Sequence, residues 1–314
     1  MKILVTGANG FIGNAVAKDL VATGFDVMTC VRSKLLPRAE VGRIYSGAIG
    51  TAAFQKLLRT ESPDYVVHCA GAASVGASIA NPAHDHASNV ALTRNLYACV
   101  AAASPRTQVL FMSSAAVYGQ PEQLPINEST QCKPISPYGR HKLECEEIGQ
   151  WFRENYDMRI TDLRIFSAYG PGLRKQVLWD AYQKSLQGDC VELGGDGTET
   201  RDFVYIRDLT NIVTKIVKNS SWNENLINVA SGETVTIREL AELFLSKLGY
   251  RGQLRFSGTI PIGTPRFWRA DNAKLSGLEL RPRVALEDGL REYVRWLRDA
   301  KGTSDSNRIL ARAG

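Results

Sequence analysis

The sequence predicts an α/β fold: a doubly wound parallel sheet followed by a smaller, interleaved C-terminal lobe. Three observations carry that expectation. Short apolar runs alternate with helix-like stretches through the first half; the first run enters a turn marked by Gly7, Gly10 and Gly13; and beyond residue 166 the alternation loosens into Gly- and Pro-rich loops such as AYGPGL and LGGDGTET. Alternation of this kind is what crossover connections between parallel strands require.

Taken in order, KILVT (2–6) reads as a strand, and the helix after its glycine turn stops at Gly24. FDVMTCV (25–31), PDYVVHCA (63–70) and QVLFMSS (108–114) follow as further strands, and from ITDLRIF (160–166) the pattern loosens. Each is apolar on both faces, as a sheet covered by helices on each side demands. The predicted organisation is a first domain over 1–166 and a second lobe over 167–300, with some segments returning to the first. ALEDGLREYVRWLRDA reads as the last helix, and 301–314 as a loose tail, because apolar periodicity ends there.

Composition excludes several classes. The excess of 38 Lys and Arg over 32 Asp and Glu gives a net charge of +6, but the basic residues are interleaved with acids and form no run. A polyanionic small molecule therefore suits the chain better than nucleic acid. No basic start with an apolar h-region precedes MKILVTGANG, and no window approaches a membrane span, so neither export nor membrane insertion is expected. The six cysteines stand singly, without a Cys-x-x-Cys pair, which fits a reduced, cytoplasmic chain without a zinc site. His68 reads as a satisfied core residue, and His84, His86 and His141 lack a metal-like grouping.

In KILVTGANGFIGNAVAKDL the strand, three glycines and a helix stand in the order that lets a pyrophosphate approach bare backbone and meet the unpaired N–H groups of a helix start. This predicts a Rossmann-type dinucleotide site. The second strand of such a site ends in an acid that accepts from the adenosine ribose of NAD. Here Val31 takes the acid's place, followed by Arg32, Ser33 and Lys34. A guanidinium without the carboxylate favours a 2′-phosphate, so NADP(H) is expected in preference to NAD(H), with NAD(H) still possible.

A second constellation lies downstream. Ser136 and Pro137 read as a helix cap and first-turn residue, which puts Tyr138 and Lys142 four apart on one helical face. The phenol of tyrosine has a pKa of about 10. A neighbouring ammonium and a cationic nicotinamide are expected to draw it toward neutrality, making Tyr138 an acid/base. Ser114, at the end of the fourth apolar run, can hydrogen-bond the same substrate oxygen.

TGANGFIG, HCAGAASV, SSAAVYG, YGRHK, LRIFSAYGPG and GTETRDFVYIRDL occur in the order found in the extended short-chain dehydrogenases/reductases, and the chain resembles that NAD(P)-dependent nucleotide-sugar family over about residues 1–270. The resemblance implies that Ser114 rather than Ser113 joins Tyr138 and Lys142 in catalysis. It implies a coenzyme site formed by Gly7, Asn9, Gly10, Phe11, Ile12, Gly13, Arg32, Ile49, Ala70, Gly71, Ala72 and Asn89, with Tyr138 and Lys142 reaching it. The partner it implies is a nucleotide-diphosphate sugar, contacted by Ser74, Ser114, Ser167, Lys175, Gly194 and Arg201, with Arg266 as a second cation for the diphosphate. Ala73 replaces a Lys of the galactose epimerases, and Ala48 an Asp that meets adenine. By the same analogy the helix begun near Asn89 and the Tyr138 helix form a four-helix homodimer interface.

The residues after Ser114 narrow the reaction. Family members that dehydrate the sugar carry an Asp-Glu pair there and the decarboxylases a Glu, whereas Ala115 and Ala116 cannot move a proton. The epimerase/reductases that make GDP-fucose use a Cys where Ala115 stands, and a His that GLRKQVLWD lacks. Two hydride-transfer reactions survive. NADPH-dependent reduction of an NDP-4-keto(-6-deoxy) sugar is the leading expectation, and 4-epimerisation of an NDP-sugar with bound NAD is the alternative. A non-catalytic NADP-sensing or nucleic-acid-binding relative is the remote third, since Ser114, Tyr138 and Lys142 are all present.

Overall fold

The apolar runs pair side by side as β1 (Lys2–Thr6), β2 (Asp26–Val31), β3 (Arg43–Ser46), β4 (Tyr65–His68), β5 (Gln108–Ser114) and β6 (Ile160–Ile165). The computed structural model describes residues 1–32, 39–219 and 221–310, with 301–310 described by backbone alone. Ser33 and Lys34, and the end of the tail at 311–314, lie outside the described residues. Later strands are β7 (Ser167–Tyr169), β8 (Cys190–Leu193), β9 (Thr200–Tyr205), β10 (Leu226–Val229), β11 (Thr234–Thr236) and β12 (Gln253–Phe256). The central sheet has the order β3-β2-β1-β4-β5-β6-β10, parallel throughout.

Period-two alternation within each strand feeds two cores. Ile3 and Val5 of β1 face one cluster and Leu4 the opposite one. The first cluster is covered by α1 (Phe11–Ala22) and α8 (Ile206–Lys218), through Val16, Leu20, Ile212, Val213 and Ile216. On the other face lie α2 (Ala52–Glu61), α5 (Leu92–Ala103) and α6 (Pro137–Tyr156), which contribute Phe54, Leu58, Leu96, Val100 and Phe152. Each fully buried leucine is worth about 1.5–3 kcal/mol over an exposed one, so both faces are paid for in burial. The short helices α3 (Val75–Ala80) and α4 (Pro82–His86) and a π turn (Ala87–Ala91) connect β4 to α5.

The remaining elements form two small sheets, β11-β9-β7 and β12-β8, with α7 (Gln176–Ser185), α9 (Ile237–Leu248) and α10 (Ala273–Gly277). Their buried residues, among them Tyr169, Leu193, Phe203 and Phe244, belong to the same apolar cluster as Ile3 and Val5. α11 (Leu286–Leu310) runs ten residues past Ala300, where loss of periodicity predicted a loose tail. Once a helix is nucleated each further residue adds a backbone bond, and no apolar stripe is needed to continue it. Among the described residues no helix is long and apolar enough to cross a membrane.

The order β3-β2-β1-β4 reverses direction between β1 and β4, and in such sheets ligands bind beyond the carboxyl ends of the strands at that point. The Gly7–Gly13 turn and the residues after His68 both emerge there.

Candidate active site

Beyond β1 the chain turns through Gly7 at φ +69°, a conformation natural to glycine. The turn is also crowded: a Cβ on Gly7 would lie 2.6 Å from the Ala70 nitrogen, and one on Gly13 2.4 Å from the Gly7 carbonyl oxygen. Gly10 caps α1 without a side chain, so the first-turn amides stay open toward the cavity lined by Gly10, Phe11, Ile12 and Gly13. A diphosphate fits this cradle, because bare backbone and a helix start are what it binds. Asn9 lies exposed at the tip of the turn.

His68 closes β4. Its Nδ1 lies 2.7 Å from Thr6 Oγ1 and its Nε2 3.2 Å from Thr93 Oγ1, and burial pushes its pKa down to about 3. It is a neutral strut inside the fold, as its sequence position suggested. The Ala70 N–H donates to Thr6 Oγ1, which fixes the start of the loop whose Gly71, Ala72, Ala73 and Ser74 line the cavity. Asn89, in the π turn, is buried and donates from Nδ2 to the Asp85 carbonyl; its Oδ1 lies 2.6 Å from where a Gly71 Cβ would stand. It therefore packs behind the loop rather than in the cavity wall.

Ser136 accepts from the Gly139 N–H at 3.1 Å and Pro137 occupies the first turn of α6, so Tyr138 and Lys142 rise on one face as the spacing predicts. The Tyr138 N–H also donates to Ser78 Oγ, tying α6 to α3. Ser114, at the end of β5, accepts from the Ala116 N–H at 3.2 Å and starts a 3₁₀ turn, Ala115–Tyr118. The adjacent Ser113 turns its hydroxyl onto the Glu146 carboxylate, which Arg164 also grips from Nε and Nη2. Ser114, Tyr138 and Lys142 share one cavity wall.

Burial pushes Tyr138 up to about 12, with a hydrogen bond from Ser114 opposing it, and the Lys142 ammonium is held 2.9 Å from the Met112 carbonyl over the Phe111 ring. In the chain's own field desolvation sets the direction, and the charge of Asp85 adds to it. A pKa nearer neutrality must therefore come from a positive charge placed against the phenol.

These parts meet in a single cavity of about 720 Å³. Its far wall is built by the second lobe. Ser167, Lys175, Gly194 and Arg201 all line it. Arg201 is buried and donates to the carbonyls of Thr200, Pro265 and Arg266, with its guanidinium over the Trp268 ring. No carboxylate is paired with it among the described residues, and burial lowers its pKa to about 10. Arg266 stands outside the lining; it is exposed and ion-paired with Asp196 at 2.8 Å. Arg32 is exposed beyond Val31, and Ile49 packs against the core beneath β2, so neither reaches this cavity.

Sequence reasoning missed Gln176, Glu199 and Trp268, which also line the cavity. Glu199 accepts from the Asp196 and Gly197 amides and so shapes the GGDG loop, a role its place three residues after Asp196 could have signalled. Trp268, whose indole N–H donates to the Gly119 carbonyl, carries no local sequence signal. Among the described residues, no three His, Cys, Asp or Glu side chains gather as a metal site would need.

The model of the NAD-dependent epimerase/dehydratase family matches residues 3–230. A putative UDP-glucose 4-epimerase of Methanocaldococcus jannaschii is 27% identical, over 96% of this chain and all of its own. The UDP-glucose 4-epimerase of Thermotoga maritima, solved with UDP-glucose, superposes with a TM-score of 0.87 at 28% identity, covering 96% of this chain and 99% of that one. A UDP-glucuronic acid 4-epimerase from Bacillus cereus, solved with UDP-glucuronic acid and NAD, gives 0.86 at 25% identity, covering 96% and 100%.

Proposed function

From the premise that the chain belongs to the NAD-dependent epimerase/dehydratase family, we propose that it interconverts the 4-epimers of a UDP-sugar and retains NAD as its coenzyme. The observation that carries this reading is the single cavity with the glycine turn at one end, Arg201 at the other, and Ser114, Tyr138 and Lys142 between them. The sequence put net reduction first; the relatives described above are 4-epimerases, which supports the alternative instead.

The Gly7–Gly13 backbone and the α1 amides would hold the coenzyme's diphosphate, and its nicotinamide would supply hydride acceptance and return. The chain's own work is proton transfer and orientation. Tyr138 Oη takes the proton of the sugar 4-hydroxyl as the C4–H bond breaks and returns it when that bond re-forms on the other face. Ser114 Oγ hydrogen-bonds the same oxygen, and Lys142 keeps positive charge beside the phenol. Arg201 holds the sugar diphosphate; its hydrogen-bond partners in the protein are carbonyls, and among the described residues no carboxylate is ion-paired with it. Small Ala115 and Ala116 offer no acid that could divert the 4-keto sugar into elimination.

Net reduction of an NDP-4-keto sugar with NADPH stands as the second reading on one observation: β2 ends in buried Val31 and exposed Arg32 where an acid would hold the NAD ribose. The experiment that separates the two incubates the purified protein, without added coenzyme, with UDP-glucose, UDP-N-acetylglucosamine or UDP-glucuronate. Appearance of a 4-epimer supports epimerisation. Absence of any epimer, with NADPH consumed on a dTDP-4-keto-6-deoxyhexose, would replace it with reduction.

The outer face of α5 and α6 supports self-association. Trp151 and Tyr156 are 49% and 52% exposed beside Ala98, Ala101 and Ala102, a groove of small residues flanked by rings that suits a second copy of the same face. A homodimer through this face, in a cytoplasmic enzyme with unpaired thiols, completes the reading. Trp151→Glu shifting the sedimenting mass from dimer to monomer supports it, and an unchanged mass counts against this face.

A further inference from the structure

Behind the wall of Ser114, Tyr138 and Lys142 lies an ion pair that the proton transfer itself does not use. Glu146 stands one turn beyond Lys142 on α6, and Arg164 of β6 lies beside Ser113 in the sheet register. Both charged side chains are buried and neither lines the cavity. Arg164 donates from Nε at 3.1 Å and from Nη2 at 2.7 Å to the Glu146 carboxylate, which also accepts from the Ser113 hydroxyl. Its Nη1 donates at 2.9 Å to Tyr118 Oη, and that hydroxyl donates at 2.7 Å to Asn228 Oδ1 in β10. Asn228 donates in turn from Nδ2 to the Ile126 carbonyl and from its backbone N–H to Glu128. Ile126 bonds through its backbone to Arg269 and Asp271, just beyond Trp268 of the cavity wall.

The network touches each part that must stay in place. Ser113 immediately precedes Ser114, Tyr118 closes the 3₁₀ turn that Ser114 starts, and Glu146 shares a helix with Tyr138 and Lys142. None of the side chains of Ser113, Tyr118, Glu146, Arg164 and Asn228 leaves a buried nitrogen or oxygen without a partner. A buried ion pair adds little stability over well-packed apolar residues of the same volume, because desolvation offsets the attraction. What it adds is direction: a planar guanidinium gripping a carboxylate from two nitrogens fixes how helix and strand lie together, and a fully satisfied network stiffens that arrangement. A second ion pair joins the same two elements two turns farther along α6. There Arg153 donates to the Asp162 carboxylate at 3.0 Å and to the Ile160 carbonyl, both in β6.

We propose that Glu146 and Arg164 are positioning residues, whose ion pair sets the distance between the Ser114 hydroxyl at the end of β5 and the Tyr138 phenol on α6 without touching substrate or coenzyme. The inference rests on the catalytic roles read above for Ser114 and Tyr138 and adds the parts that hold them in register. Through Tyr118 and Asn228 the same anchor extends to the segment beside Trp268, so the sugar-facing wall and the proton-transferring wall share one buried reference.

The test separates kcat from affinity in Glu146→Gln, Tyr118→Phe and, as the control, Arg153→Met. Glu146→Gln keeps the shape and removes the charge; kcat is expected to fall about ten- to a hundredfold, the cost of displacing a reacting group by up to about 1 Å, with calorimetric affinities for NADH and UDP nearly unchanged. Removing one partner of a buried pair is strongly destabilising, and Tyr118→Phe supplies a variant that keeps the pair. It leaves every charge in place, so a loss of kcat there, expected to be a few-fold, reports position and not field. Arg153→Met should lower the Tm and keep kcat. Wild-type kcat in a folded Glu146→Gln overturns the proposal; where that variant does not fold, wild-type kcat in Tyr118→Phe overturns it. So does a kcat loss in Arg153→Met equal to that in Glu146→Gln, or a fall in NADH and UDP affinity that matches the fall in kcat, the marks of general loosening. A wild type that forms no 4-epimer sinks the epimerase reading alone, and the same ratios are then read from NADPH consumption on a dTDP-4-keto-6-deoxyhexose, where the same three residues act.

Discussion

The two ends of the cavity present positive charge by opposite means. At the β1–α1 end the means is backbone: Gly7, Gly10 and Gly13 give the turn its shape and the first amides of α1 stay open, and among the described residues no charged side chain lines this end. At the β8–β9 end it is side chain: a buried Arg201 ordered by three carbonyls, with Trp268 beneath it. The first arrangement is local and written in a dozen consecutive residues. The second is assembled from segments more than sixty residues apart, so its geometry depends on the whole fold. The wall proposed to be catalytic lies between, drawing Ser114 from a strand end and Tyr138 and Lys142 from one helix.

The largest break in this division of labour is at its centre. Tyr138→Phe removes the proton carrier but little volume, so kcat should fall about 100- to 10,000-fold with coenzyme and sugar affinity nearly kept. Near-normal turnover would remove Tyr138 from the chemistry. Next, Gly13→Val would drive a side chain into the Gly7 carbonyl, 2.4 Å from its Cβ. Coenzyme affinity should drop by more than tenfold while UDP binding, set at the other end, changes far less; equal losses in calorimetry would mean that the two ends are not independent.

Arg201→Met sharpens the same contrast from the other side. UDP-sugar affinity should weaken about tenfold or more, for one charge-assisted bond of about 1.5–3 kcal/mol, with NADH affinity nearly unchanged. Its three carbonyl partners lose a donor as well, so a lower Tm is expected alongside; a lower Tm with no change in UDP-sugar affinity would make Arg201 structural only. The smallest effect is expected at Arg32, which is exposed and outside the cavity. Arg32→Ala should shift the NADPH-to-NADH affinity ratio by only a few-fold, because an exposed ion pair is worth about 1 kcal/mol or less. A change of a hundredfold would revive the 2′-phosphate site and with it the reductase.

Legibility in the sequence follows the same split. The parallel sheet was readable because Ile3, Leu4 and Val5 must be buried in two directions, and only helices on both faces allow it. The Tyr138 helix was readable because Ser136 and Pro137 announce its start. What the sequence withheld depends on distance or on competing fields. Lys175 meets Ala73 across 102 residues, and Arg266 finds Asp196 instead of a ligand. The desolvation that raises the Tyr138 pKa in the chain alone comes from tertiary packing and has no signature in a local motif.

The position of β10 has a consequence for descent and for protein engineering. Leu226–Val229 follows β7, β8 and β9 in the chain, yet returns to the edge of the central sheet beside β6, while β11 immediately afterwards pairs with β9 in the other lobe. The backbone is thus stitched between the two halves, with no single point at which one could be cut away. New sugar specificities on such a scaffold cannot be acquired by shuffling a module; they must accumulate as point changes and loop exchanges on a frame that stays whole.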